Sequence, residues 1–503
     1  MRCVKLFLPQ RDQIGEFIEF LKFCASNDID TIVLEIGGAM EYIRHPEINC
    51  AWEDYARPLR KDPDAAFRLQ YSNNFPKNSI HCENGGGSFL KQEEVKYIAS
   101  CCAKNNLRVI PEVPSLTHCD YLLCAHKELA ERREDAFPDH YCPSDERVYR
   151  LLFDVLEEVI EVFRPEIVNI GHDELYSVGV CPRCSGKNAE DLYVEDILKI
   201  YSFLKKKKIR TAMWADKLLC SRDKTGQPYG GNELKMVYTP EEGGGTVIVP
   251  AVYRAVYRLP RDILLFHWHY LFGEKTDELF ASLGYEYLLA NLNPVTIPNL
   301  ERRLDNANCK GFCISNWGNA DPVLLQRNGI YFYISYMSCL KNGTIRADSP
   351  LSESVAKVSD VLFRQRLAET KRKYLHVVHT STAIIDHRDF VDGNFMDFKK
   401  DYLGSYKIVY EDGTVQFEKI YFGLNVNYEK RNYERKTDSH FDLYETEKYL
   451  LESTWSCRYI VKQNATFYEY AFLRSSESKV LTWEFIPAEG RANAVKAVSF
   501  FAE

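Results

Sequence analysis

Two adjacent carboxylates, Asp173 and Glu174, close the run Ile167-Val168-Asn169-Ile170-Gly171-His172-Asp173-Glu174-Leu175, which opens as an apolar strand and ends in a glycine followed by three ionisable side chains. Neighbouring side chains of a regular strand face opposite sides, so both carboxylates reach one ligand only where the strand stops and the backbone turns. Gly171 makes that departure cheap. A carboxylate beside Glu174 disfavours ionisation of Glu174, which is the direction a general acid needs. On an open surface the same pair is two solvated acids and nothing more, so its meaning depends on what surrounds it.

The elements that must position the pair are repeated. From the start to about residue 340, short β-rich apolar runs alternate with stretches of helical period, the pattern of βα units around a parallel sheet. Eight runs are predicted as strands, at residues 4–8, 31–37, 108–113, 167–171, 211–214, 263–268, 287–292 and 311–316. Helices are predicted between them, at 14–26, 93–105, 148–163, 194–207 and 322–340. Eight units closing on themselves give an α/β fold, a TIM-type (β/α)₈ barrel, whose active site lies at the C-terminal ends of the strands. Those ends carry Glu35; Glu112 and His118; Asp173 and Glu174; Trp214 and Asp216; Trp268; and Trp317 with Asn319. One Trp at a strand end is as readily packing as binding. Three of them offer the flat apolar rings on which the C–H faces of a sugar stack.

Residues 341–375 read as a helical extension or linker, with a charge-rich helical stretch at 352–372. Beyond it the period changes to two. Residues 406–410, the turn Glu411-Asp412-Gly413 and residues 414–422 carry a hairpin signature, and further strands are predicted at 454–461, 466–473, 480–486 and 495–501. This gives a catalytic barrel over 1–340 and a C-terminal β-sandwich-like accessory domain over 376–503.

With these elements laid out, the strand-four motif resembles that of glycoside hydrolase family 20, the β-N-acetylhexosaminidases, whose mark is a strand-end His-x-Gly-Gly-Asp-Glu. Asn169-Ile170-Gly171-His172-Asp173-Glu174 keeps the first Gly and the Asp-Glu pair and departs at two places. Pro111-Glu112-Val113-Pro114-Ser115-Leu116-Thr117-His118 stands where the family has Pro-Glu-Ile-Asp-x-Pro-Gly-His, keeping Pro, Glu and His. Met213-Trp214-Ala215-Asp216 follows strand five, and Asn316-Trp317-Gly318-Asn319 stands where the family often has Trp-x-Glu. The resemblance implies a retaining exo-β-N-acetylhexosaminidase without a protein nucleophile: the substrate's 2-acetamido oxygen attacks the anomeric carbon, one of the exceptions to the two-carboxylate scheme. It implies Glu174 as general acid and base, and Asp173 as the partner that orients the acetamide N–H. Substrate contacts are implied at Glu112, His118, Trp214, Asp216, Trp268, Trp317 and Asn319, with Arg11 as the candidate for the family's sugar-binding Arg after strand one. His172 has no clear counterpart, and a supporting hydrogen bond or a sugar-hydroxyl contact are both open for it.

Two other readings of the same residues are a barrel glycosidase in which Glu112 or Asp216 is the nucleophile, and a sugar-binding protein without catalysis. A net charge of −8 argues against a nucleic-acid partner. No run of residues reaches the length and apolarity of a membrane span, and the first residues lack a signal-peptide core. Sixteen cysteines, several inside apolar stretches, fit reduced thiols, so a cytoplasmic setting is expected. Cys181-Pro182-Arg183-Cys184 is half of a zinc site, but the sequence offers only Cys142, Cys119 or His118 to complete it. It is therefore read as a pair of free thiols in a loop, with no metal and no cofactor.

Overall fold

The computed structural model describes residues 1–61, 80–238, 245–368, 373–385, 389–390, 393–394 and 396–502. Eight parallel strands close into the predicted barrel: β1 (Arg2–Phe7), β2 (Thr31–Glu35), β3 (Arg108–Ser115), β4 (Ile167–Gly171), β5 (Arg210–Trp214), β6 (Leu264–His267), β7 (Glu286–Ala290) and β8 (Cys309–Ser315). Closure is made by β8 on β1, with Arg2 opposite Phe312 and Lys5 opposite Ser315. Period two then decides the interior. Cys3, Val33, Ile110, Ala212, Trp214, Leu264, Phe266, Leu288, Ala290 and Cys313 form one buried cluster inside the ring. Two residues further along their strands, Lys5, Glu35 and Glu112 are also buried, and Asn169 lies opposite Glu112. The upper layer of the barrel is therefore polar while the layer beneath it is apolar.

Helices α1 (Ile14–Ser26), α2 (Pro46–Lys61), α3 (Gln92–Lys104), α4 (Glu146–Phe163), α5 (Ala189–Lys206), α6 (Lys275–Ser282) and α7 (Ile330–Lys341) are distributed among the strands. α4 buries Val148, Leu152, Val155, Leu156 and Val159 on one face, and its N-terminus is capped by the Asp145 carboxylate, which accepts from the Arg147 N–H. Three features depart from the sequence expectation. α2 carries Pro58 in its interior, a residue that weakens a helical pattern. The helix predicted at 322–340 is two, Pro322–Arg327 and α7, parted at Gly329 with φ +71°. Between β5 and β6 stand two hairpins, Cys220–Arg222 with Pro228–Gly230 and Leu234–Tyr238 with Gly245–Val249, and no α-helix among the described residues.

α8 (Leu351–Ala368) leads away from the barrel; residues 369–372 of the expected helix lie outside the described residues. The C-terminal part holds a four-stranded sheet, in the order β12 (Cys457–Lys462), β13 (Ala465–Leu473), β9 (Tyr374–Ser381), β15 (Val495–Ala502). A three-stranded sheet faces it, in the order β11 (Val415–Tyr421), β10 (Tyr402–Tyr410), β14 (Val480–Pro487). Trp483 stacks on Phe500 at 4.8 Å across the two sheets, and the Tyr406 hydroxyl meets His379 Nδ1 at 3.0 Å. β9 sits inside the four-stranded sheet and was not among the predicted strands. Its His376 and His379 break the apolar pattern because they are buried against Glu469 and Tyr406.

The two parts touch at the barrel's rim. Lys224, in the first hairpin after β5, donates to the carbonyls of Asp438 at 2.9 Å and Phe441 at 2.6 Å. The Phe441 ring packs against Phe272 and Tyr229, and the Asp442 N–H donates to the Leu271 carbonyl at 2.7 Å.

Candidate active site

The turn that delivers the carboxylates is left-handed at three of four residues: Gly171 at φ +74°, His172 at +72° and Glu174 at +52°. A Cβ on Gly171 would also stand 3.1 Å from the Pro114 Cα of β3, so glycine is required for close approach as well as for φ. His172 has a Cβ and is anchored instead. Its Nε2 lies 2.8 Å from Asp196 Oδ2, its Nδ1 lies 3.2 Å from Ser115 Oγ, and its carbonyl accepts from the Tyr193 hydroxyl at 3.0 Å. The ring is fully buried. His172 thus lies buried behind the turn, with both ring nitrogens in contact with protein groups. Ser115 arrives there through an irregularity in β3, where Glu112 pairs with Asn169 and Ser115 with Gly171, three steps against two. At the far side of the turn the Glu174 N–H donates to Asp216 Oδ2 at 3.0 Å.

His118, itself at φ +50°, places Nε2 3.5 Å from Asp173 Oδ2 and 3.5 Å from Glu174 Oε2. Burial opposes charge on His118, but Asp173, then Glu174 and Asp139, raise its pKa well above the ordinary imidazole value. The same pairing lowers Asp173, whose burial is outweighed by His118 and by His81. The His118 ring thus lies between the two carboxyl groups. Behind it the His81 ring stacks on His118 at 4.7 Å, and His81 Nδ1 meets Glu35 Oε1 at 2.6 Å. Glu35 also receives Lys5 Nζ at 2.7 Å; burial would raise its carboxyl, yet His81 and Lys5 hold it at about 2. The Lys5 ammonium caps one face of Trp317 at 3.2 Å from the ring centroid. Lys5 and His81 were not recognised in the sequence. Lys5 shares the inward period of Cys3 and Phe7, a signal that was present, whereas His81 lies in a loop with no period.

Glu112 and Asp216 shift in the opposite direction from Asp173. Glu112 accepts from Asn169 Nδ2 at 3.0 Å and Trp214 Nε1 at 3.1 Å, and burial, with Glu35 and Asp173 nearby, pushes it up to about 8 against the pull of Lys5. Burial pushes Asp216 up to about 7, helped by Asp173 and opposed by Lys217, and its Oδ1 is buried without a hydrogen-bond partner. A cavity of about 220 Å³ opens beside Glu174 and Asp216, lined further by Tyr176, Tyr229, Trp268 and His269. Its volume is below the range of roughly 300–1,000 Å³ typical of drug-sized sites.

The structure therefore brings together Asp173, Glu174, His118 and Asp216, with Trp268 on the cavity wall. Trp214 is 1% exposed inside the barrel, where it orients Glu112 rather than presenting a face. Trp317 is partly buried and donates to Asn291 Oδ1 at 3.0 Å. Two implied contacts lie elsewhere. Arg11 is more than half exposed and pairs with Glu94 at 2.7 Å on the first turn of α3. Asn319 is buried at the end of β8, where its amide nitrogen reaches Gln13 and Asp321. Cys181 and Cys184, read as a free pair in a loop, are instead buried against Cys142 and Glu131, so the ligand set that looked incomplete gains two members.

Among the described residues no helix is long and apolar enough to cross a membrane. Residues 60–236 match the family model described as "Glycosyl hydrolase family 20, catalytic domain". No curated protein matches the chain. Among solved structures, a β-N-acetylhexosaminidase from Bacteroides fragilis NCTC 9343 is 16% identical, covers 57% of this chain and 50% of its own, and has a TM-score of 0.40. A chitobiase from Flavobacterium johnsoniae is 14% identical, covering 63% and 44%, with a TM-score of 0.42. A further β-N-acetylhexosaminidase is 13% identical, covering 73% and 76%, with a TM-score of 0.47. The chain spans half the length of the first of these.

Proposed function

Because this chain is a divergent member of glycosyl hydrolase family 20, we propose that it is a retaining exo-β-N-acetylhexosaminidase that removes terminal β-linked N-acetylglucosamine or N-acetylgalactosamine. The observation that carries this reading is the single His118 Nε2 lying 3.5 Å from a carboxylate oxygen of both Asp173 and Glu174. The proposal assigns catalysis to the barrel of residues 1–340 and an accessory role to the β-rich residues 376–503. It includes a reducing, cytoplasmic setting, since the cysteines stand as free thiols.

The roles follow from charge. Asp173 is held ionised, as required of a group that accepts the acetamide N–H and offsets the positive charge developing on an oxazolinium-type intermediate. The acetamido oxygen attacks the anomeric carbon while Glu174 gives its proton to the departing glycosidic oxygen; Glu174 then takes a proton from the water that opens the ring. Trp268, on the cavity wall, is the stacking surface. A protein nucleophile is disfavoured because burial raises both alternatives. At about 8 Glu112 carries a proton at neutral pH, with hydrogen bonds to both oxygens, and Asp216 at about 7 has Oδ2 committed to the Glu174 N–H. A protonated carboxyl is a poor nucleophile.

Nitrophenyl β-glycosides with and without the 2-acetamido group test the reading. Hydrolysis confined to the N-acetyl sugars is expected. Equal hydrolysis of plain glucosides, or a covalent glycosyl adduct on Glu112 or Asp216, would overturn it.

A further inference from the structure

We propose that Glu131, Cys142, Cys181 and Cys184 bind one zinc ion, a closed structural site that ties the loop after β3 to the loop carrying the catalytic pair. One ligand atom from each of the four residues lies within 4.8 Å of all the others. Cys142 Sγ is 3.3 Å from Cys181 Sγ and 3.5 Å from Cys184 Sγ. Four-coordinate zinc with Zn–S of about 2.3 Å holds its sulfurs somewhat under 4 Å apart, so the ligands need to spread by only a few tenths of an ångström. The local backbone fits this use. The Cys181 carbonyl accepts the N–H groups of Cys184 at 3.0 Å and Ser185 at 2.8 Å, a tight turn that directs both thiols of the Cys-Pro-Arg-Cys segment to one side.

The carboxylate distinguishes this cluster from three packed thiols. Glu131 is 2% exposed; its Oε1 accepts the N–H groups of Val180 at 2.7 Å and Cys181 at 3.1 Å, while its Oε2 is buried with no hydrogen-bond partner. A thiol is only a weak donor, so contact with the Cys181 thiol satisfies a buried carboxylate poorly, and an oxygen left under-paired away from water carries a desolvation cost. A cation at the centre of the four groups removes the cost. Three sulfurs and one oxygen select a borderline-soft, four-coordinate ion, whereas magnesium and calcium take oxygen. On binding, the thiols release their protons to solvent. The Cys184 thiol donates to the Ser144 hydroxyl at 3.3 Å, so this side chain is already held at the cluster.

The position gives the site its consequence. The Glu131 N–H donates to the His140 carbonyl at 2.9 Å and the Cys142 N–H to the Leu129 carbonyl at 2.8 Å, so these two ligands lie on facing strands of one loop. That loop also receives the Cys119 N–H on the Asp139 carbonyl, beside His118, and the Tyr176 N–H on His140 Nε2, two residues past Glu174. Cys181 and Cys184 supply the second loop, so the ion joins the backbone that carries His118 to the backbone that carries Glu174.

Metal analysis of the full chain, purified without chelator from zinc-supplemented cells, provides the test. One zinc per chain, retained through gel filtration and released by a mercurial, is expected. Exchange for cobalt(II) should give the visible absorption of a tetrahedral thiolate site. Cys181→Ser/Cys184→Ser should hold less than a tenth of the wild-type zinc. Should that variant fail to fold, Glu131→Gln keeps an acceptor for Val180 and Cys181 and should lose zinc to a competing chelator at least tenfold more readily. Wild-type protein with less than a tenth of an equivalent of zinc and all sixteen thiols reactive on denaturation would overturn the proposal. So would iron in place of zinc, or a thiol count two short, which would indicate a disulfide.

Discussion

Asp196 Oδ2 holds His172 Nε2 at 2.8 Å, directly beneath a backbone φ of +72°. The related family has glycine at this position, which adopts that conformation freely, while a residue with a Cβ loses about 1–2 kcal/mol there. The buried bond to Asp196 offsets this cost. His172→Ala, which keeps the Cβ and drops the bond, is expected to destabilise the chain by about 2–4 kcal/mol in urea unfolding. His172→Gly should lose about 1 kcal/mol less than the alanine variant, because the left-handed φ is then unstrained. The reverse order would show that the turn stores no strain.

Glu174→Gln tests the acid. General-acid assistance is worth about 10²–10⁴-fold, and a phenolate leaving group needs little of it. The variant should lose two or more orders of magnitude in kcat on a disaccharide and much less on a dinitrophenyl glycoside. Equal loss on both substrates would remove Glu174 from that role.

Asp173→Ala separates substrate assistance from a protein nucleophile. Its carboxylate matters most as positive charge grows on the acetamide, so kcat on an N-acetylglucosaminide should fall far more than KM changes, by several kcal/mol of transition-state stabilisation. A cyclic thiazoline mimic of the intermediate should bind the wild type tightly and the variant poorly. If every substrate and the folding stability decline alike, Asp173 only braces the turn.

Asp216 gives a prediction in pH. Its folded pKa is raised from an unfolded value of about 4 to about 7, so the native state binds the proton more tightly than the unfolded chain. The resulting stability is fully present below about pH 4, drains between about 4 and 7, and is gone above the folded value. Asp216→Asn keeps an acceptor for the Glu174 N–H and removes the titration. The gain in its Tm relative to wild type should therefore be larger at pH 8 than at pH 5. Parallel Tm curves for the two proteins across that interval would refute the shift.

The barrel was legible because each strand keeps its period even where the residue type changes, as in the inward series Cys3, Lys5, Phe7. That Asp173 and Glu174 stand together just past the end of β4 was legible because they are neighbours in sequence. What escaped is held together across long separations. Cys142 was among the residues that could join Cys181 and Cys184, but Glu131 meets them from a different loop and no local spacing records that approach. Asp196, on α5, carries no mark of its bond to His172. Arg11 was misplaced because proximity to the end of β1 does not fix direction, and its guanidinium turns outward to Glu94. The excursion after β5 escaped because its short strands replace a helix that the repeating pattern leads one to expect.

That excursion leans on the far end of the chain. Lys224 is held by the carbonyls of Asp438 and Phe441, and Phe441 packs on Tyr229, which itself lines the cavity. The cavity beside Glu174 is thus bounded by a hairpin whose outer support is encoded some two hundred residues later. The C-terminal module cannot be exchanged between relatives as an independent cassette: a new partner must bring its own counterpart of residues 438–442, or leave the acid intact beside an unbraced wall.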